Sequence, residues 1–356
     1  MERNFDCLCT LLRLGLGFDI DKAAYENFDG HLNWDDMVRL ASMQGVLSLA
    51  FEGAMKLPKE IQPPRKAKIN WGVNVEYLKE KSQYHYLIIR RLVSLFGEQG
   101  IKMMLLKGRG MALCYPDAFL REESDIDIYL LGKFEEGNDL LKRQGVDFYE
   151  GYEKHAKFCY HGISVENHKF FLDCHSVAES SLESYLQECL EEKIIVSDLG
   201  EGLFVYAPSP DFNAVFLIKH ALNHLWRTET ALRHICDWAC FLSRYAEEID
   251  FNRYRSTMQK AGLLHLADAF TAITVDRLGL DEGAVPPFDR NRKIEKRLVD
   301  KLKKNPLQQP VGQSVWGKLA YEYKRLKEEQ DVYSLFFSKG LFFRAKNKIL
   351  RGYNFL

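Results

Sequence analysis

Residues 121–130 read REESDIDIYL and place two aspartates inside an apolar, β-branched run. Successive residues of a strand point to opposite faces, so Asp125 and Asp127 would project together while the isoleucines cover the other face. Two carboxylates this close repel, and one pKa rises unless a cation lies between them. The pattern predicts a strand that presents a cation-binding pair. The alternative is a strand edge whose solvent face happens to be acidic.

The segment before this strand predicts an anion site. IKMMLLKG (101–108) is typical of a short buried strand ended by glycine, and GMALCY (110–115) fits a short helix. At this turn, Lys107 and the backbone N–H groups after Gly108 would face an anion. Arg121 could meet a phosphate oxygen. Mg²⁺ prefers oxygen ligands and is often completed by substrate phosphates, so the two segments together favour phosphoryl-transfer chemistry.

The segment after the aspartates predicts further strands. KHAKFCYH (154–161) and ISVENHKF (163–170) flank Gly162, as the two arms of a hairpin would. Strands and helices alternate from residue 101 to about 175, which indicates a small α/β unit.

Helical periodicity dominates the rest of the chain, so we expect an α+β fold. A small mixed β-sheet would lie in residues 100–178, between an N-terminal helical region (1–99) and a C-terminal helical region (179–356). LFVYAP (203–208) fits one more strand, and the last 25 residues fit a basic amphipathic helix.

Composition narrows the function classes. The 356 residues are 46% hydrophobic and 28% charged, which predicts a folded globular protein. With a net charge of −1, the protein as a whole does not attract DNA or an anionic membrane electrostatically. The chain contains no apolar run of about 18 residues, so we expect no membrane span. The eight cysteines include no CxxC pair, which favours reduced thiols and a cytoplasmic location.

Three stretches resemble a known family. LLKGRGMALCYPDAFLREESDIDIYL (105–130) resembles the LLKG-x-x-L signature, followed by Tyr, Arg and D-I-D-L, of the uncharacterised nucleotidyltransferase family. That family is placed in the DNA polymerase beta-like nucleotidyltransferase superfamily. VENH (165–168) is similar to its V-E-L-H strand, and residues 219–242 resemble its helical HxxxH…D segment. The resemblance covers roughly residues 100–245.

The resemblance implies the catalytic roles. Asp125 and Asp127 would bind Mg²⁺, with two ions expected, and through it the triphosphate of an NTP such as ATP. Glu166 would be the third carboxylate, ligating metal and helping to deprotonate the acceptor hydroxyl.

The resemblance also implies the nucleotide contacts. Lys107 and Gly108 would receive phosphate, while Arg121 and Ser124 are candidates for contacts at the rim of the site. Arg109 belongs to the same turn and stands where many members of the superfamily carry a phosphate-binding serine, so the contacts of the triphosphate would differ here.

Two assignments stay open at this point. Asp173 competes with Glu166 as third acid, but on one continuous strand an offset of seven puts them on opposite faces, so we prefer Glu166. His220 and His224 share one helical face and with Asp237 could bind zinc. A helix that packs polar groups near the cleft is the preferred interpretation.

We therefore expect an enzyme that transfers a nucleoside monophosphate from an NTP to an acceptor hydroxyl of a small molecule, an RNA or a protein. The alternative is a catalytically degenerate protein of the same fold that binds a nucleotide or a protein partner. Glu166 and Asp173 both lying more than about 8 Å from the aspartate pair would favour that alternative. A metal-dependent hydrolase using the same carboxylates is a third hypothesis.

Overall fold

The computed structural model describes residues 2–29, 31–149, 154–172, 177–226, 231–285 and 287–303. The helices are α1 (Glu2–Leu16), α2 (Trp34–Met43), α3 (Leu47–Lys56), α4 (Arg65–Gly97), α5 (Arg109–Ala112), α6 (Phe134–Arg143), α7 (Val177–Glu192), α8 (Pro210–Trp226), α9 (Leu232–Tyr245), α10 (Phe251–Lys260), α11 (Leu264–Ile273) and α12 (Arg292–Lys303). The strands are β1 (Met104–Leu105), β2 (Ile126–Tyr129), β3 (Phe148–Tyr149), β4 (His155–Tyr160), β5 (Ile163–His168), β6 (Ile194–Asp198) and β7 (Phe204–Pro208).

The strands form one mixed sheet in the order β3-β4-β5-β2-β1-β7-β6. β2 runs parallel to β5 and β1 parallel to β7, while the other neighbours are antiparallel. The expected α+β fold is confirmed. Two strands, β6 and β7, come after residue 178, so the sheet draws on more of the chain than the region 100–178. The division into three regions stays a prediction.

The sheet separates two hydrophobic clusters. Ile126 and Ile128 point towards the cluster that the C-terminal half of α4 and helix α6 complete. The adjacent residues Met104 and Leu105 of β1 belong to different clusters, as alternation along a strand requires. Helices α1, α3, α8, α9 and α11 contribute to the larger cluster on the other face. Asp127 alternates with the isoleucines and therefore faces the side of the sheet on which this larger cluster lies.

The N-terminal helices follow the sequence with one correction. Asn33 caps α2, since its side-chain oxygen accepts from the backbone N–H groups of Asp35 and Asp36 at 3.0 and 3.2 Å. Apolar residues at helical spacing run from residue 34 to residue 57 and predict a single helix there, whereas the structure has two. Gly45 adopts φ 63°, in the left-handed region that glycine tolerates, and divides the segment into α2 and α3.

Close contact between α1 and α3 depends on a second glycine. A Cβ atom at Gly53 would overlap the backbone carbonyl of Leu11, so only glycine lets the two helices approach this closely.

Among the described helices, none combines the length and the apolar character that a membrane crossing needs. The basic helix expected in the last 25 residues lies outside the described part of the chain.

Candidate active site

Two of the predicted carboxylates lie side by side on adjacent strands. The parallel register pairs Asp127 of β2 with Glu166 of β5, so both side chains project from the same face. The ligand atoms of Asp127, Glu166 and His168 all lie within 4.8 Å of one another. The VENH segment therefore brings an acid and a histidine to Asp127, while Asp125 is not part of this group of ligand atoms.

Asp127 is buried between two basic groups. Its side chain is 1% exposed, with Oδ2 lying 3.0 Å from the Lys107 ammonium and Oδ1 lying 2.9 Å from Nε2 of His168. Burial alone would raise the pKa of Asp127, but Lys107 and His168 outweigh it and hold that pKa well below its usual range. Asp127 is therefore ionised at neutral pH.

His168 faces an oxygen at each ring nitrogen. Nδ1 lies 3.2 Å from the backbone carbonyl of Phe170, and Nε2 faces the Asp127 carboxylate. These two contacts fix the ring so that Nε2 points at the Asp127 carboxylate.

All three predicted carboxylates act electrostatically on the Lys107 ammonium, and Asp127 contacts it at 3.0 Å. Burial lowers the pKa of Lys107, but Asp127, Asp125 and Glu166 together outweigh burial and raise the pKa above its ordinary value. Ser124 donates from Oγ to Oδ1 of Asp125 at 2.9 Å and so orients that acid. The strand-to-helix turn thus delivers a cation to an acidic site.

Glu166 has two basic neighbours on β4, outside the motifs that predict the site. Nζ of Lys157 lies 3.1 Å from Oε1, and Nε2 of His155 lies 3.6 Å from Oε2. Burial is the largest cause lowering the pKa of His155, and the nearby charge of His168 lowers it further against the effect of Glu166. Alternation in KHAKFCYH places His155 and Lys157 on one face, and this signal could have found them.

Gly108 shapes the turn that follows β1. It adopts φ 61° and ψ −122° at the start of the four-residue helix α5, a conformation that strongly favours glycine. A Cβ atom there would lie 3.5 Å from the backbone oxygen of Asp125. The turn therefore packs against the beginning of β2, next to the acidic site.

Arg109 turns away from the carboxylates. Its guanidinium is buried, donates to Oγ of Ser82 in α4 at 2.9 Å and lies 3.8 Å from Glu123. The guanidinium also lies over the rings of Tyr86 and Phe119. These contacts attach α5 to the long helix, and a phosphate contact by Arg109 stays a prediction.

Arg121 forms a buried ion pair with α9. Its Nε and Nη2 donate to the two carboxylate oxygens of Asp237 at 2.8 and 3.0 Å, and the Tyr115 hydroxyl donates to the same carboxylate at 2.8 Å. Burial lowers the pKa of Arg121, but Asp237 outweighs it and the pKa is raised. The donors that the sequence assigns to a phosphate serve Asp237 here, and the phosphate contact stays a prediction.

A histidine cluster lies on α8 and α9. The ligand atoms of His220, His224 and His234 all lie within 4.8 Å of one another. Asp237, which the sequence allows as a further zinc ligand, is not part of this group, and its carboxylate binds Arg121 and Tyr115. Asp173, the rival third acid, lies outside the described residues.

The family model described as uncharacterised nucleotidyltransferase matches residues 30–279, which is more than half of the chain. The chain belongs to this family. The match extends from the residues before α2 to the end of the helical segment after α11, well beyond the motifs at 105–130 and 165–168. Membership supports nucleotidyl transfer as the general activity. No curated protein and no solved structure matches the chain.

Proposed function

We propose that this protein is a Mg²⁺-dependent nucleotidyltransferase of the DNA polymerase beta-like superfamily, acting in the cytoplasm. It would move a nucleoside monophosphate from an NTP, such as ATP, to a hydroxyl of a small molecule, an RNA or a protein. The pairing of Asp127 with Glu166 on parallel strands carries the proposal. In support of the location, the cysteines among the described residues are free thiols.

The donor set fits Mg²⁺. Asp125, Asp127 and Glu166 offer carboxylate oxygens, the ligands that this hard cation prefers, and all three act on the same ammonium. Three carboxylates are also the number with which related active sites can hold two ions. When bound, Mg²⁺ would neutralise charge on the phosphates and on the transition state.

Lys107 has a place in binding the donor. Its ammonium forms a nearly buried ion pair with Asp127, with the lysine side chain 13% exposed. Binding of a metal by Asp127 would weaken its hold on that ammonium. Lys107 could then turn to a phosphate oxygen of the NTP, at the turn where the sequence predicts an anion site.

Glu166 has a place in activating the acceptor. Lys157 contacts Oε1, and the side chain is 15% exposed, so a hydroxyl can approach. Glu166 would accept the hydroxyl proton as the acceptor oxygen forms its bond to the α-phosphorus. The bond from that phosphorus to the bridging oxygen breaks at the same centre, and pyrophosphate leaves with the electron pair.

One observation favours a degenerate, nucleotide- or protein-binding alternative. Lys107 forms an ion pair with Oδ2 of Asp127 and His168 contacts Oδ1, so the buried charge has cationic and polar neighbours without a metal, although Oδ2 has no hydrogen-bond partner among the described residues. The position of Glu166 instead favours a metal site. Its ligand atom lies within 4.8 Å of that of Asp127, well inside the roughly 8 Å beyond which one ion could not join them.

Calorimetric titration tests the proposal. Mg²⁺ and then NTP are titrated into the wild type, Glu166→Gln and Asp139→Asn, an exposed acid on α6 that serves as control. We expect Mg²⁺-dependent NTP binding in the wild type and the control, and at least about tenfold weaker Mg²⁺ binding in Glu166→Gln, as expected when a carboxylate ligand is lost. Equal binding by all three proteins, or none, would contradict a carboxylate metal site.

Labelled NTPs added to a cell extract then identify the acceptor. Transfer of the label with pyrophosphate release supports the transferase. Pyrophosphate release without a labelled product would instead indicate a hydrolase, and NTP binding without either product would support the degenerate alternative.

A further inference from the structure

Three histidines converge from two helices outside the carboxylate site. His220 and His224 lie one turn apart on α8, and His234 lies in the first turn of α9. The ring centroids are 4.5 Å apart for His220 and His224, 4.8 Å for His224 and His234, and 5.8 Å for His220 and His234. Each ring therefore neighbours both of the others.

His234 carries a buried nitrogen that needs a partner. Its Nδ1 lies 3.2 Å from both the backbone nitrogen and the backbone oxygen of Ala231, which orients the ring at the start of α9. Its Nε2 is buried and has no hydrogen-bond partner among the described residues. Buried polar atoms are nearly always satisfied, so an unmatched imidazole nitrogen beside two more imidazoles indicates a ligand.

We propose that His220, His224 and His234 form a binding site for Zn²⁺. Imidazole nitrogen is a preferred ligand of this ion, and three histidines with one open position are an established zinc coordination set. Mg²⁺ prefers oxygen ligands, so the two sites would select different metals. A water molecule would fill the fourth position.

The geometry is near to that of a loaded site. Tetrahedral zinc with bonds of about 2.0–2.1 Å requires ligand nitrogens about 3.3–3.4 Å apart. The observed separations, all within 4.8 Å, call for closures of about 1.5 Å at most. His220 and His224 are half-buried and can supply this movement, while His234 is fixed by Ala231.

The pKa values of His220 and His234 are shifted in the direction that suits metal binding. Burial is the largest cause lowering the pKa of His220, followed by the charge of Lys107 and by the neighbouring histidines. Burial and His224 likewise lower the pKa of His234. Neutral imidazoles are the form that binds a metal, so little proton release would oppose loading near neutral pH.

Zinc would join α8 to α9 next to the transfer site. Helix α9 also carries Asp237, which binds Arg121 just before the aspartate strand, and the charge of Lys107 reaches His220. The ion would therefore fix the helical wall beside the carboxylates without taking part in nucleotidyl transfer.

Zinc titration of the full-length, metal-stripped protein tests the proposal, with a chromophoric chelator as competitor. We expect the wild type to bind one equivalent of zinc tightly. Glu166→Gln and His265→Ala should retain this binding, since His265 is a half-buried histidine of α11 outside the cluster. His234→Ala and His224→Gln should each lower the zinc affinity by more than the roughly 10–100-fold that is typical of changes to residues around the ligands. The loss is larger here because each substitution removes a direct ligand. Circular dichroism checks that each variant is folded.

Cobalt substitution gives a second measurement. Co²⁺ in the wild type should show the intense visible absorption of a four-coordinate site, which His224→Gln should lose. Three results would each overturn the proposal: no stoichiometric zinc in the wild type, undiminished binding in folded His224→Gln, or loss of zinc in folded Glu166→Gln. The last would place the ion at the carboxylates, so failure here is separable from failure of the proposed transferase.

Discussion

Replacing Arg121 by methionine tests whether this arginine serves the fold or the substrate. In the structure Nε and Nη2 of Arg121 donate to Asp237, and the two side chains are 7% and 8% exposed. Arg121→Met would leave the buried Asp237 carboxylate with a hydrogen bond from the Tyr115 hydroxyl but without its cationic partner. Breaking a buried pair in this way costs about 3–5 kcal/mol of the free energy of unfolding. Urea denaturation followed by circular dichroism measures the loss.

The double variant Arg121→Met, Asp237→Leu separates the two roles. Because it removes both charges, most of the stability should return. The Tyr115 hydroxyl then lacks its acceptor, so a deficit of about 1–3 kcal/mol should remain. Arg39→Met is the matched control, since its pair with Asp36 is exposed and is worth less than about 1 kcal/mol.

Nucleotide affinity decides the outcome. If Arg121 positions α9, the double variant should bind NTP within about threefold of the wild type. If it contacts a phosphate, losing a charge-assisted hydrogen bond of about 1.5–3 kcal/mol should weaken binding at least tenfold. Two results would refute a structural role for Arg121. One is a loss of less than about 1 kcal/mol in the free energy of unfolding of Arg121→Met, and the other is a tenfold loss of NTP affinity in the folded double variant.

Three further changes follow from local geometry. Lys107→Met should bind Mg²⁺ more tightly, because it removes the ammonium that lies 3.0 Å from the buried Asp127 carboxylate. The same variant should transfer the nucleoside monophosphate more slowly. Calorimetry and product assays measure the two effects, with the exposed Lys142→Met as control. Gly53→Ala should lower the free energy of unfolding by about 1–3 kcal/mol or more through overlap with α1, whereas Gly97→Ala, with open space around it, should be neutral or slightly stabilising. Burial raises the pKa of Glu122, so its contribution to stability is present at low pH and is lost as pH rises through the raised pKa. Glu122→Gln should therefore raise the melting temperature at pH 7.5 and leave it unchanged near pH 4; a rise only at acidic pH would contradict this sign.

Local patterns predict strands and faces well in this chain. The alternation in SDIDIYL is enough to place Asp127 opposite the isoleucines, and the glycine at 162 predicts the hairpin that β4 and β5 form. β6 was not predicted, because its residues alternate between exposed and half-buried positions at the edge of the sheet, where little apolar burial marks a strand. The break at Gly45 was missed because apolar spacing continues across it.

Partners distant in sequence limit the prediction of the site. The motif next to β2 suggests that Arg121 faces a phosphate, but its partner Asp237 lies 116 residues away, and no local pattern reveals that contact. Likewise, His234 joins His220 and His224 only through the packing of α9 on α8. By contrast, the match of VENH to the family signature predicts Glu166 as the third acid, and the register with Asp127 agrees with that prediction.

The parallel pairing of β1 with β7 has a consequence for dissecting the protein. Tyr206 donates its backbone N–H to the carbonyl of Met103, four residues before Lys107. A fragment ended at residue 178 would expose the unpaired edge of β1, which invites association with other chains. The signature motifs lie close together in the sequence, yet the segment that contains them lacks a strand that its sheet requires. Any minimal version of this protein has to retain the chain through β7.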